Sequence, residues 1–203
     1  MDSTAHIVAA IQSASRTLGL PVPDDTAARQ VIGLSLAEAL ATACPDLPTE
    51  RYPEMVAAYR KQFFVGNETV VLFDGVVSAL EEIADQGILL AVATGKSRRG
   101  LTRALESTGL TQLFSATRTQ DDCPSKPHPA MLLELMDELG CSPLRTLMVG
   151  DTTHDLIMAQ QAGTHAAGVY YGAHAREALE ACPSLGLFAK FSEFRQWLMP
   201  KIR

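Results

Sequence analysis

The 203-residue sequence predicts an α/β protein in which a parallel sheet with flanking helices follows a smaller unit made of helices. Three observations support this fold class. The first third of the chain contains only apolar patterns with helical spacing. From residue 68 onward, short apolar runs alternate with helical segments. The connections between them are short, which is typical of parallel strands covered by helices.

The composition is that of an ordinary globular protein. Hydrophobic residues make up 47% of the chain and charged residues 20%, which excludes a disordered chain. Lys and Arg number 17 against 23 Asp and Glu, and the net charge of −6 disfavours a general nucleic-acid binder. No apolar run approaches the roughly 18 residues of a membrane helix, and the N-terminus lacks a signal-peptide pattern. We therefore expect a cytoplasmic protein with free cysteines and with neither nucleic acid nor a membrane as its partner.

The helical unit is predicted to cover residues 1–67. Its apolar positions recur at helical spacing, and Gly or Pro stands at the breaks between the segments. The predicted helices are, in order, residues 3–18, 26–32, 36–43 and a segment that follows Pro53. The break between the second and third helices is Gly33-Leu34-Ser35.

The α/β unit is predicted to cover residues 68–203 as a Rossmann-like parallel sheet. Its predicted strands are residues 88–93, 114–116, 146–149, 166–169 and 187–189. Its predicted helices are residues 75–86, 97–108, 129–139, 153–162, 175–181 and 194–198. The run Ile88–Ala93 is apolar throughout, which is typical of a strand buried on both faces. Ligands of such sheets bind at the carboxyl ends of the strands, so we expect the functional residues to lie there.

A first candidate site motif, Thr94-Gly95, follows the strand Ile88–Ala93 directly. A hydroxyl, exposed backbone N–H groups and the start of the next helix together suit a bound anion. A turn containing Thr and Gly also occurs without any ligand, so this motif is weak by itself.

A second motif, Ser125-Lys126-Pro127-His128-Pro129, places a lysine in a loop stiffened by prolines. A lysine held in this way can keep a fixed positive charge over a phosphate or a carboxylate. The same residues also suit an exposed lysine in a Pro-rich turn.

A third motif pairs two carboxylates at the end of the strand 146–149. Asp151 stands at the strand tip and Asp155 one helical turn later, so both can face one point. Two hard oxygen ligands at a strand end suit a partly hydrated Mg²⁺. The two residues could instead cap the helix that follows.

In this order the three motifs resemble those of the haloacid dehalogenase superfamily. Thr94 resembles its second motif, Lys126 its third, and Asp151 with Asp155 its fourth. The helical unit resembles the family's inserted helical cap, and Gly33-Leu34-Ser35, called the cap loop below, resembles the cap segment that contacts substrate. Within the family, the chain is most similar to phosphoglycolate phosphatases and their relatives of unassigned substrate.

The resemblance implies a Mg²⁺-dependent phosphatase that acts on a small phosphorylated metabolite, with phosphoglycolate as the best single candidate. Thr94 and Gly95 would hold the transferring phosphate oxygens, and Lys126 would neutralise the phosphate and the attacking carboxylate. Asp151 would bind Mg²⁺, with Asp155 as a further ligand or as an outer partner.

The sequence departs from the family at its first motif, an apolar strand followed by Asp-x-Asp-Gly-Thr, which supplies the nucleophile. The nearest pattern is Asp74-Gly75, but position 76 is Val, so the acid/base partner is missing and we reject Asp74. We expect little or no turnover by this chain, and a sheet with an empty central position. Two hypotheses follow, a shortened version of an enzyme that starts at an internal Met or a truncated relative.

Three alternative functions stay open at this stage. A sugar-phosphate mutase shares all the motifs present here. A haloacid dehalogenase needs no Mg²⁺, so in such an enzyme the paired carboxylates Asp151 and Asp155 would have no metal ion to bind. A non-catalytic relative would bind phosphate without turnover. The oligomeric state is open as well, and a homo-oligomer whose partner fills the central gap is a hypothesis.

Overall fold

The computed structural model describes residues 1–64 and 70–202, and its described residues 1–64 form helices without any strand. These helices are α1 (Thr4–Thr17), α2 (Asp25–Gln30), α3 (Leu36–Ala43) and α4 (Tyr52–Phe64). Each lies within a few residues of its predicted position. The predicted boundary after residue 67 lies outside the described residues, so the division into two domains stays a prediction.

Side-chain caps determine where the two short helices begin. Asp24 accepts a hydrogen bond from Ala27 N at 2.8 Å and starts α2. Ser35 and Glu38 form a reciprocal capping box that starts α3. The helices pack through a buried apolar cluster that includes Ile11, Leu40 and Met55. The cap loop is thereby left as a short connection between two capped helices.

The remaining residues alternate between strands and helices, as the sequence predicts. The strands are β1 (Ala91–Thr94), β2 (Ala116–Thr119), β3 (Leu147–Gly150), β4 (His165–Val169) and β5 (Leu187–Phe188). The helices are α5 (Val76–Asp85), α6 (Arg98–Thr108), α7 (Ala130–Leu139), α8 (Thr153–Ala162), α9 (Arg176–Glu180) and α10 (Phe191–Leu198). No helix in the described part of the chain is long and apolar enough to cross a membrane.

The strands form two parallel sheets among the described residues. β1 pairs with β2, and β3, β4 and β5 form the second sheet, so β1 and β3 do not pair. Ala93 of β1 and Met148 of β3 nevertheless pack against the same apolar cluster, to which α7, α8, β4 and α9 contribute. The prediction that the first strand is buried on both faces is wrong, because Ala91 is exposed and the rest of β1 is half-buried. The reason is that β1 has a described neighbour on one side alone.

Candidate active site

A buried ion pair forms the centre of the candidate site. Lys126 Nζ donates a hydrogen bond to Asp155 Oδ1 at 2.6 Å, and the two side chains are 7% and 4% exposed. Lys126 comes from the loop before α7, whereas Asp155 lies in the first turn of α8. The sequence predicted both as site residues from separate motifs, and the structure brings them into direct contact.

Thr152 holds the other oxygen of the same carboxylate. Its backbone N and its Oγ1 donate to Asp155 Oδ2 at 3.2 Å and 2.8 Å, and Asp155 N donates back to Thr152 Oγ1 at 3.2 Å. This reciprocal arrangement is the capping box that begins α8. Thr152 was not predicted as a site residue, although Thr-x-x-Asp ahead of an apolar helix is the signal of such a box.

The charge state of Asp155 follows from these contacts. Burial acts to raise the pKa of Asp155, but the charge of Lys126 and hydrogen bonds from Lys126 and Thr152 outweigh it. The pKa therefore lies below the ordinary value, and the carboxylate is ionised at neutral pH. Because both of its oxygens already accept hydrogen bonds from protein groups, Asp155 is suited to hold Lys126 in place.

Asp151 has a different environment at the end of β3. Its Oδ2 accepts a hydrogen bond from Ala173 N at 2.8 Å, and no described side chain forms an ion pair with it. Burial, together with the nearby charge of Asp155, raises the pKa of Asp151 above its ordinary value. A Cβ atom on Gly172 would lie 2.0 Å from Asp151 Oδ2, so only glycine fits there. Asp151 is thus a partly buried carboxylate that an added cation would stabilise.

Asp151 and Asp155 suit Mg²⁺ that is bound through one or two carboxylates, and they do not suit a metal ion that needs three or more protein ligands. In residues 1–64 and 70–202 no group of three or more His, Cys, Asp or Glu is arranged to hold a metal ion. Mg²⁺ commonly keeps several waters and is bound through one or two carboxylates plus substrate phosphate. The chemistry of Asp151 fits that mode, and Asp155 would support it as an outer partner.

The cap loop lies against the first candidate motif. A Cβ atom on Gly95 would lie 2.5 Å from Leu34 O and 2.6 Å from Gly33 O, so the loop backbone touches the turn after β1. A Cβ atom on Gly33 would lie 3.1 Å from Thr152 Oγ1 at the start of α8. The loop therefore bridges the turn that follows Thr94 and the start of the helix that carries Asp155.

The side chain of Ser35, the third cap-loop residue, forms its hydrogen bonds with Glu38 inside the helical cap. Its Oγ donates to Glu38 Oε2 at 2.6 Å and accepts from Glu38 N at 3.3 Å. Thr94 Oγ1, on the other side of the loop, accepts a hydrogen bond from Lys96 N at 3.2 Å. The structure thus places Gly33 and Leu34, rather than the side chain of Ser35, against the strand end.

Two further groups were not assigned a role from the sequence. Lys96 follows Gly95, and burial lowers the pKa of its ammonium group, which lies 5.8 Å from the centre of the Phe63 ring. Asp74, the rejected nucleophile, is exposed and lines a separate cavity with Glu82 and Arg195. Lys96 therefore lies beside the first motif in a position where burial disfavours its charged form, whereas Asp74 lines a different cavity.

The sequence matches the family model described as haloacid dehalogenase-like hydrolase over residues 1–169. The chain belongs to this haloacid dehalogenase-like family. The chain is 39% identical over 200 residues to the probable phosphatase IndB of Dickeya dadantii, covering 95% of this chain and 86% of that protein. It is 31% identical over 182 residues to a phosphoglycolate phosphatase of Pasteurella multocida, covering 85% of this chain and 81% of the relative.

Solved structures of the haloacid dehalogenase-like family share the fold. A protein from Bacteroides fragilis, described as haloacid dehalogenase-like, aligns with a TM-score of 0.86 at 23% identity, over 95% of this chain and 93% of the other. A protein from Haemophilus somnus, described as a predicted phosphoglycolate phosphatase, aligns with a TM-score of 0.83 at 25% identity, over 97% and 92% of the two chains. The family resemblance drawn from the motifs is confirmed.

Proposed function

We propose that this haloacid dehalogenase-like hydrolase is a Mg²⁺-dependent phosphatase of a small phosphorylated metabolite, with phosphoglycolate as the first substrate to test. The observation that carries the proposal is the Lys126–Asp155 pair beside Asp151. It combines a fixed positive charge with a partly buried carboxylate that lacks a described ion-pair partner. The names of the two relatives, phosphatase and phosphoglycolate phosphatase, support the same class of reaction.

In this proposal each residue of the site has a separate task. Thr94 Oγ1 and the Gly95 N–H bind phosphate oxygens at the end of β1. Lys126, held by Asp155, balances the phosphate charge. Asp151 holds Mg²⁺, which when bound supplies the positive charge that lets a nucleophile approach a dianionic phosphate.

The cap loop is the part of the proposed site that meets the rest of the substrate. Gly33 and Leu34 lie against Gly95, so the room between loop and strand end limits the size of the group attached to phosphorus. We further propose that residues 1–67 act as a cap over a core of residues 68–203. A charged phosphorylated metabolite does not cross membranes freely and stays inside the cell, so we propose that the protein acts in the cytoplasm.

The proposed reaction also needs an attacking carboxylate. The sequence lacks Asp-x-Asp-Gly-Thr, and Asp2 and Asp74 are exposed. We therefore expect the 203-residue chain to bind phosphate with little or no turnover. The absence of Asp-x-Asp-Gly-Thr from the sequence also favours a second candidate function, phosphate binding without catalysis.

The deciding experiment compares the 203-residue chain with a version extended at its amino end by an apolar strand and Asp-x-Asp-Gly-Thr. Calorimetry with orthophosphate and Mg²⁺ measures binding, and release of phosphate from phosphoglycolate measures turnover. Binding by both chains with turnover by the extended one supports the phosphatase. Binding without turnover in both supports the non-catalytic candidate. Absence of phosphate binding in both contradicts the site.

A further inference from the structure

Two side chains of the α/β unit bind the flanks of the cap loop. His154 Nε2 lies 2.9 Å from Gln30 O, and because a carbonyl oxygen accepts hydrogen bonds, Nε2 is the donor. On the other flank, Leu36 N donates to Gln120 Oε1 at 2.9 Å. His154 belongs to α8 and Gln120 follows β2, so the two contacts approach the cap from different parts of the α/β unit.

Both contacts engage backbone groups at helix ends. Gln30 is the last residue of α2 and Leu36 the first residue of α3. The last carbonyls and the first N–H groups of a helix have no partner within the helix. Here the Gln30 carbonyl bonds to His154 and the Leu36 N–H bonds to Gln120, and both partners belong to the α/β unit. The two helix-end groups are therefore satisfied while the cap loop rests on the site.

The His154 ring is itself fixed by its surroundings. It contacts the His174 ring edge-on, with ring centres 5.2 Å apart and an interplanar angle of 74°. His174 Nδ1 accepts a hydrogen bond from Thr153 N at 3.0 Å, which orients that ring. A Cβ atom on Gly33 would lie 3.7 Å from His154 Cδ2, so the cap loop packs close to the same ring. The donor that reaches Gln30 O is therefore held in a defined position.

We propose that His154 and Gln120 are positioning residues that latch the cap loop over Gly95 and thereby set the space left for a substrate. The two hydrogen bonds hold the two ends of the same loop. Loss of either one therefore raises the fraction of molecules in which the cap loop has lifted away from Gly95. The inference rests on the proposed function in assigning the cap loop to substrate, whereas the latch itself is measurable without turnover.

Amide hydrogen exchange on the 203-residue chain, resolved residue by residue, tests the latch. His154→Leu removes the donor, and His154→Gln keeps an N–H donor on a side chain of similar reach. We expect the Leu36 amide to exchange about fivefold faster in the leucine variant, as follows from losing one net hydrogen bond, although the partner of His154 is Gln30 and the partner of Leu36 is Gln120. The glutamine variant should recover most of the protection. His165→Ala, an exposed histidine at the start of β4, is the matched control.

A second pair of variants examines the opposite flank. Gln120→Met removes the acceptor at nearly constant size, and Gln120→Glu keeps an oxygen. We expect the Leu34 amide, which is bonded to Val31 O, to exchange faster in the methionine variant alone. If His154→Leu fails to fold, this pair decides the question.

The amide of Ala28, bonded to Asp24 O inside the cap, distinguishes loop lifting from cap unfolding. The latch predicts that its exchange stays within about twofold of the wild-type rate in all four variants. Unchanged Leu36 exchange in His154→Leu, equal rates in the leucine and glutamine variants, or equal acceleration at Ala28 would overturn it. Failure of the proposed function would show instead as absent phosphate binding with the exchange pattern intact.

Discussion

Lys126 Nζ and Asp155 Oδ1 lie 2.6 Å apart in a position where both side chains are almost fully buried. Thr152 supplies two further hydrogen bonds to the same carboxylate, so an ion pair and hydrogen bonds together stabilise the negative charge inside the protein. A buried pair of this kind is costly to break because the remaining partner keeps an uncompensated charge.

Asp155→Asn should therefore destabilise the protein strongly. We expect a loss of about 3–5 kcal/mol in the free energy of unfolding, measured by urea denaturation, because Lys126 would be left charged and buried. The matched control is Glu82→Gln, which breaks the half-exposed pair with Arg195 and should cost less than about 1 kcal/mol. Equal effects of the two substitutions would contradict the account of the buried pair.

The same pair predicts how stability depends on pH. The folded pKa of Asp155 is lowered, so its contribution is fully present above the unfolded value of about 3.9 and is lost as the pH falls through the folded pKa. The difference in unfolding free energy between wild type and Asp155→Asn should shrink below about pH 4. A difference that stays constant down to about pH 3 would argue against an ionised Asp155 in the folded state.

Asp151→Asn should have the opposite effect on stability. The pKa of Asp151 is raised, so its ionised form disfavours the fold above the folded pKa and this penalty is relieved as the pH falls. An asparagine keeps an oxygen for Ala173 N without the charge, and we expect a gain of about 1 kcal/mol at neutral pH.

A thermal-stability measurement with Mg²⁺ tests whether Asp151 binds the metal ion, separately from the effect of Asp151→Asn on stability. Mg²⁺ should raise the melting temperature of the wild-type chain and should leave that of Asp151→Asn unchanged, because a ligand stabilises the state it binds. Differential scanning fluorimetry with and without MgCl₂ measures both effects. An equal response of the two proteins to Mg²⁺ would exclude Asp151 as the ligand.

Gly95→Ala should disturb the contact between cap and strand end. The new Cβ would lie 2.5 Å from Leu34 O and 2.6 Å from Gly33 O, and these backbone atoms cannot rotate away. We expect a loss of about 1–3 kcal/mol together with faster exchange of the Leu36 amide. Gly100→Ala is the control, since its Cβ would meet the Ser97 hydroxyl at 3.3 Å. An unperturbed Gly95→Ala protein would show that the loop does not rest there.

Elements with strong local signals were predictable from the sequence. α3 covers Leu36–Ala43 and α8 covers Thr153–Ala162, as predicted, because a capping box starts each one. β2 begins at Ala116 rather than Phe114, since Phe114 packs against the cluster around Leu101 instead of extending the strand. α10 begins at Phe191, where aromatic packing between Phe191 and Phe194 lengthens the helix beyond its periodic core.

The sequence singled out several residues of the candidate site, but it missed Thr152 and did not show which residues contact each other. Strand ends pointed to Lys126 and Asp155 separately, yet their contact joins residues 29 positions apart, which no local pattern encodes. The sheet-side partners of the cap loop, His154 and Gln120, were not foreseen for the same reason. They act through tertiary contacts with backbone groups, and backbone groups leave no trace in residue identity.

The approach of Gly33 O and Leu34 O to Gly95 has a kinetic consequence. Carbonyl oxygens present partial negative charge, so we expect the loop in its resting position to repel an anion that approaches the turn after β1. We therefore expect the loop to lift, in a unimolecular step, before the anion binds. In a stopped-flow experiment the observed association rate should therefore level off with rising anion concentration, at a plateau that reports how often the entrance opens.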